Sequence, residues 1–519
     1  MPESAPDGGL GGHPKGLSNL FYAEMWERFS YYGMRALLLL FMMETAENGG
    51  MGWDQAHATL VYGNYTMLTY MVCILGGFVA DNFLGARRAV LIGGCVITVG
   101  HFTLAVPGVT TFYAGLALVA AGTGLLKPSI STLVGGLYAP GDHRRDAGFS
   151  IFYMGINLGA FAAPLATGWL AQGETFKSWL KAAGLDPSSS WHWGFGAAGI
   201  GMAFGMWIYV RRLSWLGRTG AEPAHAHGRR PWGRLAAVAC GTAALGLALA
   251  LAGSEPWVMP ALCALAGSEP WVMQALSALA RLEPWVMPAL CALPVCGAAW
   301  FGLVRKDSES RRMAAVMIFF LVATLFWGIF EQAGSTLTLF ANELTHNEAF
   351  GKPFPSTWWQ SVNALMVMAL APAFAWLWVR LGDRQPSVPT KFGLGLLFQG
   401  LSFALMVPAA AATASGKVGP EWLVAVYLLQ TVGEMCLSPV GLSTMTRLAP
   451  ARLASMIMGV WFLATAIGSK LAGSIAGEFT AKDPAAMGEF FLGQTAVVAA
   501  VAAAVFLLTP WIRRLMEGR

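Results

Sequence analysis

The chain has 519 residues, 56% of them hydrophobic and 12% charged, with a formal net charge of +5 at pH 7. Soluble domains carry about 25% charged residues, so this composition excludes an ordinary water-soluble globular protein. The positive surplus does not indicate nucleic-acid binding, because the arginines fall in short connections between apolar runs.

Runs long enough to cross a bilayer recur along the chain, among them Ala89–Val106, Leu235–Ala252, Met313–Phe330, Ser361–Val379 and Ala496–Ile512. About fourteen spans are expected on a length of about 20 apolar residues each. Many of the 62 glycines sit inside these runs, as close packing of membrane helices requires. Residues 1–16 are rich in Gly and Pro and read as a disordered N-terminus, with no cleavable signal peptide expected. The seven cysteines show neither ligand spacing nor a disulfide framework and read as small packing residues.

The first span carries the most informative residues. It reads Glu24-Met-Trp-Glu27-Arg28-Phe-Ser-Tyr31-Tyr32-Gly-Met-Arg35, with polar positions spaced three and one residues apart, so they form one helical face. Charges inside a span avoid lipid, and must line a hydrated cavity or pair with other helices. A purely structural ion-pair network is the competing reading. Farther along come Gly76-Gly-Phe-Val-Ala-Asp81-Asn-Phe-Leu-Gly85-Ala-Arg-Arg-Ala-Val, then Gly122-Thr-Gly-Leu-Leu-Lys127-Pro, then Phe149-Ser-Ile-Phe-Tyr-Met-Gly-Ile-Asn157-Leu-Gly159-Ala-Phe161. Six spans fit residues 17–213. Residues 214–310 form a linker with two further apolar runs, Trp232–Ala252 and Trp285–Val304. The linker also holds a 14-residue repeat of the form Glu-Pro-Trp-Val-Met, three copies of which read as a tandem duplication in a tolerant connection. Residues 311–515 hold six more spans, with Glu331 and Glu434 isolated inside two of them. Lys470 lies nearer its span end and is expected to snorkel toward water. His57 and His101 read as satisfied packing residues.

Arginines occupy every second connection: Arg87 and Arg88, Arg144 and Arg145, Arg211 and Arg212, Arg229 and Arg230, Arg305 to Arg312, Arg380 and Arg384, Arg447 and Arg452, and Arg513 and Arg514. By the positive-inside rule these loops are cytoplasmic, which places both termini inside. Two six-span halves form the architecture of major facilitator transporters, so the expected fold is all-α and transmembrane, two six-helix bundles with two extra helices between them. Within the spans, Glu24, Glu27, Glu331 and Glu434 face three cations, Arg28, Arg35 and Lys127. One carboxylate would then lack a fixed cation and could carry a proton.

At these residues the chain resembles the proton-dependent oligopeptide transporters, bacterial type. The Glu-x-x-Glu-Arg-Phe-x-Tyr-Tyr-Gly run from Glu24 to Gly33 and the three later motifs carry the resemblance. It covers roughly Leu17 to Arg514 outside the repeat. The resemblance implies proton-coupled import of di- and tripeptides by alternating access, with protons as coupling ion and no cofactor. Glu24, Glu27, Arg28 and Glu331 match proton-coupling positions. Arg35 and Lys127 match cations for the peptide carboxylate or for cavity closure. Glu434 and Asn363 match groups for the amino terminus, Asn157 a group for the peptide backbone. Tyr31, Tyr32, Tyr70, Trp327 and Trp461 match aromatics of the side-chain pockets. Many members place two adjacent acids before the span-seven Gln, where this chain has Phe330-Glu331. Protonation is expected to break a gate pair such as Arg35–Glu331 or Lys127–Glu434. Asp81, beside Gly85 and Arg87, reads as a latch between helices.

A relative that imports another anion, such as nitrate, is the alternative; the complete Glu-x-x-Glu-Arg run with Lys127 and Glu434 favours peptides. No metal motif, nucleophile elbow or long soluble domain supports an enzyme. The expected setting is a bacterial inner membrane, with peptide, protons and lipid as partners, no nucleic acid, and a monomeric state.

Overall fold

A computed structural model of the chain describes residues 8–223 and 307–518, apart from 140, 141, 143, 350 and 449–453, together with parts of 232–242. The 14-residue repeat and the second apolar run of the linker lie outside the described residues, as does most of the first. Before the linker run α1 (Lys15–Met43), α2 (Gln55–Val79), α3 (Ala86–Leu104), α4 (Val109–Gly136), α5 (Arg145–Gln172), the short α6 (Glu174–Ala182) and α7 (Ser190–Arg211). After it run α8 (Ser308–Phe330), the short α9 (Thr336–Leu344), α10 (Gln360–Leu381), α11 (Val388–Ala412), α12 (Glu421–Leu448), α13 (Ala454–Gly477) and α14 (Pro484–Met516). Six long helices therefore precede the linker and six follow it. The described strands are two-residue pieces, Glu348–Ala349 and Lys352–Pro353, paired antiparallel in one loop.

Nine helical stretches among the described residues are long and apolar enough to cross a membrane. The first helix is not one of them, because any window of membrane-spanning length within it includes at least three charged residues. Its burial comes from packing, with Leu17, Leu20 and Ala23 joining Val90 and Ile97 of α3, Leu126, Ile130 and Leu133 of α4, and Met202 and Met206 of α7 in one apolar cluster. Internal prolines such as Pro128, Pro164 and Pro439 are accommodated within long helices, as neighbouring spans and side chains can re-satisfy the freed carbonyls.

The chain divides into two compact units. The first takes in the described residues up to Asp54, Leu68–Thr242 and Leu337–Pro372. Within it α1 packs on α5 and α7, and α3 packs on α4 and α7. The second takes in Gln55–Met67 and the described parts of Ala243–Thr336 and Ala373–Arg519. There α11 packs on α12 and α14, and α8 packs on α13. The N-terminal half of α2 thus belongs with the second unit, and the first half of α10 with the first.

Two close approaches position the functional side chains of the first unit. A Cβ added to Gly159 of α5 would overlap the Met25 carbonyl of α1, and one added to Gly76 of α2 would overlap the Gly124 carbonyl of α4. Only hydrogen fits at either point, which explains why these motif glycines sit inside otherwise apolar helices.

Candidate functional site

In the first unit the charged face of α1 is buried along its length: Glu24, Glu27, Arg28, Tyr31 and Arg35 are each at most 7% exposed. Arg28 is the hub. Its Nη2 donates to Glu27 Oε1 at 2.6 Å, its Nε also donates to the other Glu27 oxygen, and Nε lies 3.4 Å from Glu24 Oε1 one turn earlier. The same guanidinium lies 5.1 Å from the Tyr31 ring centroid and 6.0 Å from that of Tyr32. One cation therefore holds two carboxylates and two aromatic faces in a single cluster. Charge-assisted bonds of this kind are strong where water is excluded, and breaking one partner leaves a buried charge uncompensated.

Lys127 stands on α4 with its Nζ 4.2 Å from the Tyr70 ring centroid. Long side chains on a helix lean toward its N-terminus, and the contact of Gly76 with Gly124 brings α2 close enough for the ring to meet the ammonium. Asn157, buried on α5, donates from Nδ2 to the Tyr153 carbonyl at 2.9 Å. Asn363 is half-buried on α10.

In the second unit Glu331 (5% exposed) opens the turn after α8, and Glu434 (8% exposed) lies midway along α12. Trp327 is half-buried, and its ring stands edge-on to Phe326 and Phe330. Trp461 is buried on α13 and stands edge-on to Phe392 of α11, ring centroids 6.4 Å apart.

Lys470 departs from expectation. It is 1% exposed, so it does not snorkel; α13 carries it two turns inside its own end, where packing against α2 and α8 cuts off the route to water. Counting it changes the charge sum. Among the described residues away from the span ends, the first unit holds Glu24 and Glu27 against Arg28, Arg35 and Lys127, a surplus of one positive charge, and the second holds Glu331 and Glu434 against Lys470, a surplus of one negative charge. The seven-group sum left one carboxylate unmatched; the eight-group sum is zero. Lys391 is also buried but stands at a span end, its Nζ bonded to Gln385 Oε1 at 2.9 Å and 4.1 Å from the Trp378 ring. His101 also differs from its reading as a satisfied residue: it is fully buried on α3, and neither ring nitrogen has a hydrogen-bond partner among the described residues.

The motif after α2 gains a role that its sequence did not reveal. Arg87 donates from Nε to the Thr219 carbonyl at 2.7 Å and from Nη2 to the Gly217 carbonyl. It thereby ties the start of α3 to the turn that follows α7. Among the described residues no group of three or more His, Cys, Asp or Glu side chains could hold a metal ion.

Two sets of six long helices, with charged residues sequestered among the helices as well as at their ends, define a multi-span membrane transporter of the major facilitator type. The sequence profile of the POT family matches residues 87–221 and 286–492. The peptide transporter YePEPT of Yersinia enterocolitica is 38% identical over 98% of this chain and 96% of its own length. A di-/tripeptide transporter of Lactococcus lactis is 36% identical over 87% of each chain. The crystal structure of a POT peptide transporter in complex with alafosfalin superposes with a TM-score of 0.81, at 37% identity, over 99% of this chain and 98% of that one. The chain belongs to the POT family.

Proposed function

We propose that this transporter imports di- and tripeptides together with protons, across a bacterial inner membrane, with both termini in the cytoplasm and a monomer as the working unit. The observation that carries the reading is the α1 cluster, in which Arg28 engages Glu24 and Glu27 out of contact with water. An acid in that position must exchange a proton or a partner to change charge, and each exchange rearranges the helix that bears it. A zwitterionic substrate fits the chemistry of the groups themselves: Arg35 and Lys127 suit a carboxylate, and Glu434 suits an ammonium. Tyr31, Tyr32, Tyr70, Trp327 and Trp461 offer aromatic surface that accepts varied side chains. Relatives named as peptide and di-/tripeptide transporters share the whole length or most of it.

The direct test is uptake into proteoliposomes with an imposed pH gradient, inside alkaline. Labelled dipeptide should accumulate, unlabelled di- and tripeptides should compete, and nitrate should not. Competition by nitrate with none by peptides would overturn the peptide reading, and accumulation indifferent to the gradient would overturn proton coupling.

A further inference from the structure

Lys470 is a buried charge for which the proposed function supplies no task. Its side chain is among the largest that are fully buried. The α13 backbone around it is fixed on two sides. Toward α2, a Cβ on Gly473 would meet the Gly63 Cα at 2.5 Å and the Thr59 carbonyl at 2.8 Å, while one on Gly63 would lie 3.4 Å from the carbonyl of Lys470 itself. Toward α8, a Cβ on Gly468 would lie 2.6 Å from the Trp327 Cβ, and the Ser335 hydroxyl donates to the Ala472 carbonyl at 3.3 Å. Glu331 lies between Trp327 and Ser335 in sequence, as Lys470 lies between Gly468 and Ala472. The same two contacts bracket both residues, so they stand at one height on neighbouring elements of the second unit.

The titratable groups on the elements packed against α13, apart from those at the ends of α8 and α12, are Glu331 after α8, Glu434, Cys436 and Tyr427 on α12, and His57, Tyr62 and Tyr65 on the part of α2 that belongs to the second unit. Lys470 is thus the cation that α13 brings to a neighbourhood whose fixed charges are otherwise acidic. A lysine buried at that depth is costly unless it serves the carboxylates near it.

We propose that Lys470 is a positioning residue of the transport cycle, whose ammonium, held at the α2–α13 contact at the height of Glu331, offsets one of the two buried carboxylates of the second unit and links their protonation to that contact. This role rests on the proton-coupled reading above. It also supplies a reason for the paired glycines: Gly63 and Gly473 bring α2 against the turn of α13 that bears the charge, so parting those helices changes the surroundings of the ammonium.

The test compares wild type, K470R and K470Q in proteoliposomes by gradient-driven dipeptide uptake as a function of pH and by counterflow exchange without a gradient. K470R should keep the wild-type profile. K470Q should lose gradient-driven accumulation while its counterflow stays near wild type. Its residual uptake should shift toward higher pH by about one unit, because loss of a buried cation favours protonated carboxyls. A K470Q protein with wild-type accumulation and pH profile overturns the proposal. So does equal loss of counterflow and uptake in both variants, which marks a packing role only. Wild type that accumulates no dipeptide under the gradient overturns the functional reading itself, and the role of Lys470 with it.

Discussion

Arg28 serves two carboxylates at once, and that arrangement sets what single substitutions should do. Glu27→Gln keeps an acceptor for the guanidinium but removes a protonatable group. Gradient-driven uptake should fall by at least about tenfold, the loss expected when a buried charge pair is broken, while counterflow exchange persists. Normal acid-driven accumulation in that variant would sink the assignment. Lys127 offers a second test through the face of Tyr70. Tyr70→Phe keeps the ring and should leave the dipeptide KM near wild type. Tyr70→Leu removes a cation–π contact worth about 0.5–2 kcal/mol, and KM should rise by about 2- to 30-fold. At this scale the sequence was legible where periodicity and charge coincide: the spacing from Glu24 to Arg35 implied one face, and the structure buries that face. It was not legible at Lys470, because distance from a span end says nothing of which neighbours close over it. Arg87 escaped for a related reason, since its acceptors are backbone carbonyls well over a hundred residues away.

Among the elements, most spans announced themselves by hydropathy, and the one with the functional face is among the three long helices, α1, α3 and α13, that the hydropathy of the described residues alone would pass over. Glycines inside apolar runs signalled close packing in general, yet which helix each one meets depends on tertiary geometry. Neighbouring positions on α2 separate the two kinds. A Cβ on Gly76 would overlap the Gly124 carbonyl, whereas one on Gly77 would make ordinary contacts of 3.6–3.7 Å with the Pro128 ring. Gly76→Ala should therefore destabilise the protein by about 1–3 kcal/mol, the usual cost of overpacking, and should weaken peptide binding by displacing Lys127 from Tyr70. Gly77→Ala should be close to neutral. Thermal unfolding followed by tryptophan fluorescence in detergent distinguishes them, and equal melting temperatures for the two variants would show that α2 and α4 can separate at no cost.

For the molecule as a whole, orientation follows from where the arginines lie. Arg87 at the start of α3 bonds the turn that follows α7, so those two arginine-bearing ends lie on one side, in keeping with arginines in alternate connections. In a cysteine-free background of intact cells, Ala183→Cys, on the exposed turn after α6, should react with a membrane-impermeant maleimide. Arg218→Cys should react only after permeabilisation. The reverse pattern would invert the topology. The six-plus-six arrangement of long helices was readable from span count and loop charge. The grouping of residues 55–67 with the second unit was not, because it depends on glycine contacts between helices more than four hundred residues apart in sequence.

Among the described residues, the eight charges that lie away from the span ends sum to zero, which bears on how such a carrier would feel the membrane voltage. Moving one elementary charge across 100 mV is worth about 2.3 kcal/mol. An empty carrier whose buried groups cancel would return across the field with little response to it. Loading a zwitterion adds nothing to the sum, and loading a proton adds one. The potential would then act on the loaded step alone. A potassium diffusion potential, negative inside, should speed net uptake, and it should also change the rate of peptide exchange at saturating substrate on both sides, because exchange runs through the loaded step in each direction. K470Q, with one positive charge fewer, should make the return of the empty carrier voltage-sensitive.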